Sequence, residues 1–228
     1  MLTKKTLPIS IFLLGALVEI FTPIFSWPDR HLLFKPLIMI GLVAHYLVLS
    51  PIRSVLFLVA LSFCWLGDVL LIFVSSNELF FIGGLASFLI GHVMYIFCYR
   101  QLQESQNVNE LLGSQKVRFS FPIILAGTGL VVILYPSLGA LKIPVMIYAL
   151  AITLMVLNAL FRYGRTTNKS FLLIFSGALL FMISDSLLAI NKFKEPFIAA
   201  GTLIILTYSM AQFFIMEGAL AHERKYLQ

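Results

Sequence analysis

The sequence carries little charge for its length. Only 11% of its 228 residues are Asp, Glu, Lys or Arg, whereas 60% are hydrophobic. A soluble domain usually has about 25% charged residues and about 45–50% apolar residues. Because a chain of this length cannot hide so much apolar surface from water, the composition excludes a soluble globular domain. It favours an integral membrane protein, in agreement with a mean hydropathy of +0.99.

Cysteine is scarce, and the common catalytic signatures are missing. Cys64 and Cys98 both lie inside apolar runs, without the spacing of a zinc site. The chain has no Gly-x-Ser-x-Gly, no His-Glu-x-x-His and no phosphate-binding glycine-rich loop. We therefore expect no metal and no cofactor. Basic patches interleaved with aromatic residues are also absent, so the net charge of +6 indicates membrane topology and not nucleic-acid binding.

The chain does contain a series of long apolar runs. They do not alternate between apolar and polar residues, which argues for helices instead of a β-barrel. We predict an all-α fold, a polytopic membrane helical bundle that forms one transmembrane domain over residues 1–228. The eight predicted transmembrane helices are 7–25, 33–50, 53–74, 79–99, 119–136, 141–161, 170–190 and 196–217. The one long polar segment, 100–118, is predicted to be a loop.

The positive charges are distributed unevenly between the predicted loops. Eleven Lys and Arg residues fall in the termini and even-numbered loops, and five fall in the odd-numbered loops. Because Lys and Arg are enriched on the cytoplasmic side of membranes, this predicts that both termini are cytoplasmic. The short loops favour a bacterial inner membrane.

The two halves of the chain share a weak internal similarity. Residues 66–84 align without gaps to residues 183–201, with six identities in nineteen positions. Asp68 matches Asp185 in this alignment. The similarity suggests two parallel four-helix repeats, as in some transporters.

Asp68 and Asp185 are the most informative polar residues. Each lies about six residues before the outer end of its predicted span, or roughly 8–10 Å deep at 1.5 Å per residue. A carboxylate at that depth is costly and usually faces the interior with a partner. Burial and mutual repulsion would leave one protonated acid beside one base. A purely structural role as a polar anchor between helices is the alternative.

Other polar side chains complete a candidate site. Lys35, at the outer end of the second span, would neutralise a carboxylate or bind a phosphate, or else extend to the interface. Tyr148 lies at a depth similar to the aspartates. His92 lies deeper and is suited to proton transfer, or to a hydrogen bond between helices. Tyr208 and Gln212, one turn apart, are either part of the site or contacts between helices. The sequence does not place a third carboxylate, Glu19.

These residues resemble the motifs of a known family. The matching residues are Lys35-Pro36, Gly67-Asp68, Gly84, Phe88, His92, Tyr95, Gly177-Ala178, Phe181, Ser184-Asp185, Ala189, Phe193, Tyr208 and Gln212. Over residues 10 to 217 the pattern is similar to that of the YhhN-like lysoplasmalogenase family.

The resemblance implies a membrane hydrolase that acts on lysoplasmalogens. Members release a fatty aldehyde and glycerophosphocholine or glycerophosphoethanolamine from lysoplasmenylcholine or lysoplasmenylethanolamine. The chemistry suits a carboxylic acid that protonates the vinyl ether and a carboxylate that activates water. Asp68 and Asp185 would divide these roles, with His92 as a further catalytic residue. Lys35, Tyr148, Ser184, Tyr208 and Gln212 would bind the lysophospholipid, and the only other partners expected are water and membrane lipids.

Two other classes of function remain open. Intramembrane acids and repeats also suit a proton-coupled transporter, although no paired Gly/Pro interruptions mark broken helices. A non-catalytic lipid-binding protein is the third class. A closed pocket for one hydrocarbon chain favours the enzyme, whereas a water path to both faces favours transport.

Overall fold

The structure is a computed structural model that describes residues 6–21, 30–104 and 110–227. This part of the chain contains eight α-helices and no strand, which confirms the all-α prediction. The helices are α1 (Leu7–Phe21), α2 (Arg30–Leu49), α3 (Val55–Ile72), α4 (Leu79–Gln101), α5 (Gly113–Leu134), α6 (Lys142–Leu160), α7 (Asn168–Phe193) and α8 (Ala200–Glu223). Short 3-10 helices cover Tyr135–Ser137, Gly139–Leu141 and Arg224–Leu227.

Seven helices, α2 to α8, are long and apolar enough to cross a membrane. The described helix α1 has 15 residues, fewer than the roughly 20 that cross a bilayer core. The protein is therefore a multi-pass membrane protein, and the eighth crossing stays a prediction.

The prediction of a central loop over residues 100–118 was wrong at the C-terminal end of that loop. Helix α5 begins at Gly113 and not at residue 119, so the polar residues 113–118 form its first turns. The side chain of Gln115 accepts a hydrogen bond from the backbone N–H of Leu112 at 2.9 Å and so caps the helix start. Hydropathy locates the apolar part of a helix, and a capped polar extension outside that part is invisible to it.

Contacts divide the chain into two compact units. Unit 1 comprises residues 1–95 with 223–228, and unit 2 comprises residues 96–222. In unit 1, α2 packs against α1 and α3. A Cβ atom at Gly41 of α2 would lie 2.5 Å from the backbone nitrogen of Phe12 in α1, so only glycine permits this approach. The single transmembrane domain predicted over residues 1–228 stays a prediction.

Helices α3 and α4 of unit 1 also meet through small residues. A Cβ atom at Gly67 would lie 2.6 Å from the ring of Phe88, and one at Gly91 would lie 3.0 Å from Sγ of Cys64. The hydroxyl of Ser87 donates to the carbonyl of Phe63 at 2.7 Å. Close approach through small residues and hydroxyl-to-carbonyl hydrogen bonds is typical of helix packing in membranes.

Unit 2 uses the same means of packing. A Cβ atom at Gly177 of α7 would lie 2.8 Å from the carbonyl oxygen of Ala211 in α8. The hydroxyl of Ser184 in α7 donates to the carbonyl of Ile204 in α8 at 3.0 Å. In the internal alignment Ser184 matches Gly67, so the two helix pairs approach at equivalent positions. The repeat itself stays a prediction.

A buried arginine secures the end of unit 2 that contains the α6–α7 connection. Arg162 is fully buried, and its guanidinium donates to the carbonyl of Leu102 at 3.0 and 3.1 Å and to the hydroxyl of Ser170 at 2.8 Å. Burial lowers the pKa of Arg162 to about 10, so the group remains charged at neutral pH. The charge-assisted hydrogen bonds hold residue 102, just after α4, against the start of α7.

Candidate functional site

One group of predicted site residues, in unit 1, is a pair of opposite charges on α2 and α3. Asp68 is 3% exposed on α3, and its Oδ1 lies 4.0 Å from Nζ of Lys35 on α2. Of the roles expected for Lys35, contact with a carboxylate is therefore observed, and phosphate binding stays a prediction. A distance of 4.0 Å is long for a charge-assisted hydrogen bond, which is usually about 2.7–2.9 Å. The ammonium group has three donors, so this contact leaves it able to bind an anion.

The position of Asp68 follows from its neighbours along α3. Gly67, beside it, lets the ring of Phe88 from α4 come close to the α3 backbone. Lys35 lies in the first two turns of α2, next to Pro36, which lies inside the helix. Because α3 runs back along α2, the end of α3 that carries Asp68 is level with the start of α2.

A separate group of predicted site residues joins α6 and α7 in unit 2. The phenolic hydroxyl of Tyr148 donates a short hydrogen bond to Oδ2 of Asp185. Both side chains are half-buried. The contact brings together two residues that the sequence placed at a similar depth.

Three more predicted site residues make contacts within unit 2. Tyr208 is buried, and its ring meets that of Phe181 edge-on, with centroids 5.4 Å apart. Gln212, one turn further along α8, donates from Nε2 to the Tyr208 hydroxyl at 3.4 Å. Ser184 donates to the Ile204 carbonyl, which links α7 and α8 next to Asp185. These contacts orient Tyr208 and join the two helices.

His92 is fully buried in α4. It lies in unit 1 with Asp68, whereas Asp185 lies in unit 2. The pairing of the two aspartates and the role of His92 stay predictions.

The structure gives a partner to the carboxylate that the sequence left unplaced. Glu19 of α1 is buried, and its Oε2 lies 2.5 Å from Nδ1 of His31 at the start of α2. His31 precedes Lys35 by one helical turn, so this face of α2 carries two basic side chains, each beside a carboxylate from a neighbouring helix. The signal in the sequence was the four-residue spacing between His31 and Lys35 at the start of α2. It was missed because His31 lies outside the predicted span 33–50.

Sequence reasoning also missed a buried carboxylate at the chain's other end. Glu223 is 1% exposed and accepts hydrogen bonds from the hydroxyls of Tyr46 at 2.5 Å and Ser50 at 2.6 Å. The Tyr46 hydroxyl accepts in turn from the backbone N–H of Ser54, the N-cap of α3. Residue 223 was expected outside the membrane span, and no local pattern links it to residues 173 and 177 positions away.

The fold and these polar contacts define a multi-pass membrane protein with carboxylates inside its helices. The YhhN family model matches residues 30–219, and the chain belongs to this family. It is 29% identical over 206 residues to human lysoplasmalogenase TMEM86A, covering 86% of this chain and 79% of that protein. It is 28% identical over 204 residues to bovine lysoplasmalogenase TMEM86A, with the same coverage. No solved structure matches the chain.

Proposed function

We propose that this protein is a lysoplasmalogenase, a hydrolase that cleaves the vinyl ether bond of lysoplasmalogens. The observation that carries the proposal is the similarity, over 86% of the chain, to proteins named lysoplasmalogenase. The substrates are lysoplasmenylcholine and lysoplasmenylethanolamine. The products are a fatty aldehyde and glycerophosphocholine or glycerophosphoethanolamine.

The reaction needs an acid and a base but no metal or organic cofactor. A carboxylic acid protonates the β-carbon of the vinyl ether, and the adjacent carbon and oxygen then share the positive charge as an oxocarbenium ion. Water adds to this cation and gives up a proton to a carboxylate, as in glycoside hydrolysis. The resulting hemiacetal breaks its carbon–oxygen bond to release the aldehyde and the glycerol hydroxyl. One water is consumed, and the acid and base are restored by proton exchange.

We assign the acid and base roles to Asp68 and Asp185 together. Asp68 is buried beside an ammonium group, and Asp185 accepts from a phenol, so each carboxyl group has a contact that orients it. Lys35 binds the lipid phosphate. Tyr148 positions Asp185, His92 transfers protons, and Ser184, Tyr208 and Gln212 contribute to substrate binding.

Aldehyde release tests the proposal directly. Purified protein in detergent is given each lysoplasmalogen, and the aldehyde is measured for wild type, Asp68→Asn and Asp185→Asn. Loss of general acid–base catalysis is expected to lower the rate by roughly 10²–10⁴-fold in each variant. Glu195→Gln is the matched control, because Glu195 is exposed and lies outside the assigned site.

The opposite result points to another class of function. If folded wild-type protein releases no aldehyde from either lipid at acidic, neutral or alkaline pH, the proposed reaction is wrong. Proton uptake into proteoliposomes would then identify a proton-coupled transporter. Binding of the lipid without turnover or uptake would identify a non-catalytic lipid-binding protein.

A further inference from the structure

A groove runs along the surface between α2 and α3 in unit 1. Its volume is about 370 Å³, within the range of about 300–1,000 Å³ typical of small-molecule sites. Five residues of α2 between Met39 and Leu47 form one wall, and Ser62 and Trp65 of α3 form the other.

The groove begins one helical turn from the Lys35–Asp68 pair. Met39 follows Lys35 by four residues, and Trp65 precedes Asp68 by three. Residues three or four apart lie on the same face of a helix, so the charged pair and the groove adjoin on both helices. From Met39 to Leu47 the α2 wall extends about 12 Å away from the pair at 1.5 Å per residue.

The walls of the groove are almost entirely apolar. Ser62 is the one lining residue with a hydroxyl, and that hydroxyl donates to the carbonyl of Leu58 at 2.9 Å. The site therefore combines an ammonium group at one end with a hydrocarbon surface along its length. This arrangement matches an amphiphile that has one phosphate and one hydrocarbon chain. Membrane lipid tails are as apolar as the groove, so the phosphate contact must supply the selectivity.

We propose that the α2–α3 groove holds the single hydrocarbon chain of a lysophospholipid whose phosphate is bound by Lys35. The inference rests on the proposed function, because it identifies the chain-binding part of that site. A lipid bound in this way places the atoms that join its chain to glycerol between the groove and Lys35. This is the level of Asp68, one of the two carboxyl groups assigned to the acid and base roles.

Trp65 provides a direct readout of occupancy. The chain has two tryptophans, so Trp27→Phe leaves Trp65 as the only one. The probe is lysophosphatidylcholine with a brominated acyl chain, which contains no vinyl ether and quenches indole fluorescence on contact. We expect saturable quenching that excess unbrominated lysophosphatidylcholine reverses and an equal amount of unbrominated detergent does not.

A matched pair of variants on α2 locates the binding. Val43 lines the groove, whereas Val48, five residues later, is 44% exposed and does not line it. In the Trp27→Phe background, Val43→Phe fills the groove and is expected to weaken probe binding by about tenfold or more. Val48→Phe is expected to leave binding and aldehyde release unchanged.

Quenching that rises linearly with probe concentration would overturn the inference, and so would quenching that detergent reverses as well as lysophosphatidylcholine does. In either case bulk lipid or a second copy of the protein covers the groove. Equal binding by both phenylalanine variants would also overturn it. If Val43→Phe does not fold, the titration of Trp27→Phe alone decides between saturable and linear quenching.

The quenching assay is independent of catalysis, so the two proposals fail separately. Saturable, reversible quenching without aldehyde release contradicts the reaction and retains a lysophospholipid site. Aldehyde release with linear quenching retains the reaction and contradicts the groove.

Discussion

At the scale of single residues, the two intramembrane aspartates are held by different kinds of side chain. Asp68 is buried with the ammonium group of Lys35 within 4.0 Å, and Asp185 accepts a hydrogen bond from Tyr148 while half-buried. A carboxyl group inside a membrane is stabilised by such contacts, and its orientation is fixed by them. The different surroundings support the proposal that the two aspartates take different roles in acid–base catalysis.

A substitution at Tyr148 tests whether its hydrogen bond to Asp185 contributes to catalysis. Tyr148→Phe removes the hydroxyl that orients the carboxylate and keeps the ring. Hydrogen bonds to charged groups contribute about 1.5–3 kcal/mol, so kcat is expected to fall roughly 10- to 100-fold. KM for lysoplasmenylcholine should change little if Tyr148 acts by positioning Asp185.

Tyr163→Phe is the control, because Tyr163 is exposed and its ring is edge-on to Phe171 outside the site. A Tyr148→Phe enzyme with wild-type kcat would show that the hydrogen bond to Asp185 has no part in turnover.

Glu223 is expected to matter for stability. Glu223→Ala leaves the buried hydroxyls of Tyr46 and Ser50 without their acceptor. Leaving buried polar groups unpaired costs about 1–3 kcal/mol each, so the loss of two such partners should lower the free energy of unfolding by about 2–6 kcal/mol. Thermal unfolding in detergent, with exposed Glu195→Ala for comparison, measures this. Equal unfolding temperatures for the two variants would contradict it.

At the scale of helices, glycine determines how closely neighbouring elements approach. A Cβ atom added at Gly177 would lie 2.8 Å from the carbonyl oxygen of Ala211 and 3.0 Å from the backbone nitrogen of Ile215, both in α8. Backbone atoms cannot rotate away as a flexible side chain can. Any larger residue must therefore separate α7 from α8, including the contact of Ser184 with Ile204 beside Asp185.

Gly177→Ala is accordingly expected to destabilise the protein. Overpacking of this kind usually costs about 1–3 kcal/mol, and the unfolding temperature in detergent should fall. Gly129→Ala is the matched control, since a Cβ atom at Gly129 of α5 meets nothing within 4 Å. Alanine favours helix more than glycine does, so Gly129→Ala should be neutral or slightly stabilising. If the Gly177→Ala protein is as stable as the Gly129→Ala protein, the close packing of α7 against α8 at Gly177 is not required for stability.

At the scale of the whole molecule, the chain forms two compact units, each with an aspartate and a partner for it. The internal alignment relates the helices that carry Asp68 and Asp185. The division between the units, at residues 95 and 96, falls inside α4 and not between the fourth and fifth helices, so the predicted repeat of four helices stays a prediction.

The predicted topology provides a test at this scale. Eight crossings place both termini on the cytoplasmic side, which the excess of positive charge on that side favours. Green fluorescent protein at the C-terminus should fluoresce, and an N-terminal epitope should resist protease added to the outside of spheroplasts. Termini on opposite sides would mean that α1 does not cross the membrane and that the protein has seven spans.

The sequence predicts where the helices lie better than it predicts where they end. The centres of α2 to α8 agree with the predicted spans, because the need to satisfy backbone hydrogen bonds in lipid acts on each segment separately. Helix ends such as Gly113 and Glu223 differ by about six residues, because polar caps and buried polar contacts extend the helices past their apolar parts.

The sequence by itself determined the membrane class, the all-α fold and the family, and the catalytic role of the aspartates stays a prediction. Only the tertiary structure decided which side chains meet: Lys35 with Asp68, Tyr148 with Asp185, Glu19 with His31 and Glu223 with Tyr46. The physical reason is that these helices are apolar on nearly all sides, so no hydrophobic stripe indicates which face meets a neighbour. The face that each helix turns toward its neighbour is set instead by close contacts at glycines. These contacts become visible only when the helices are assembled.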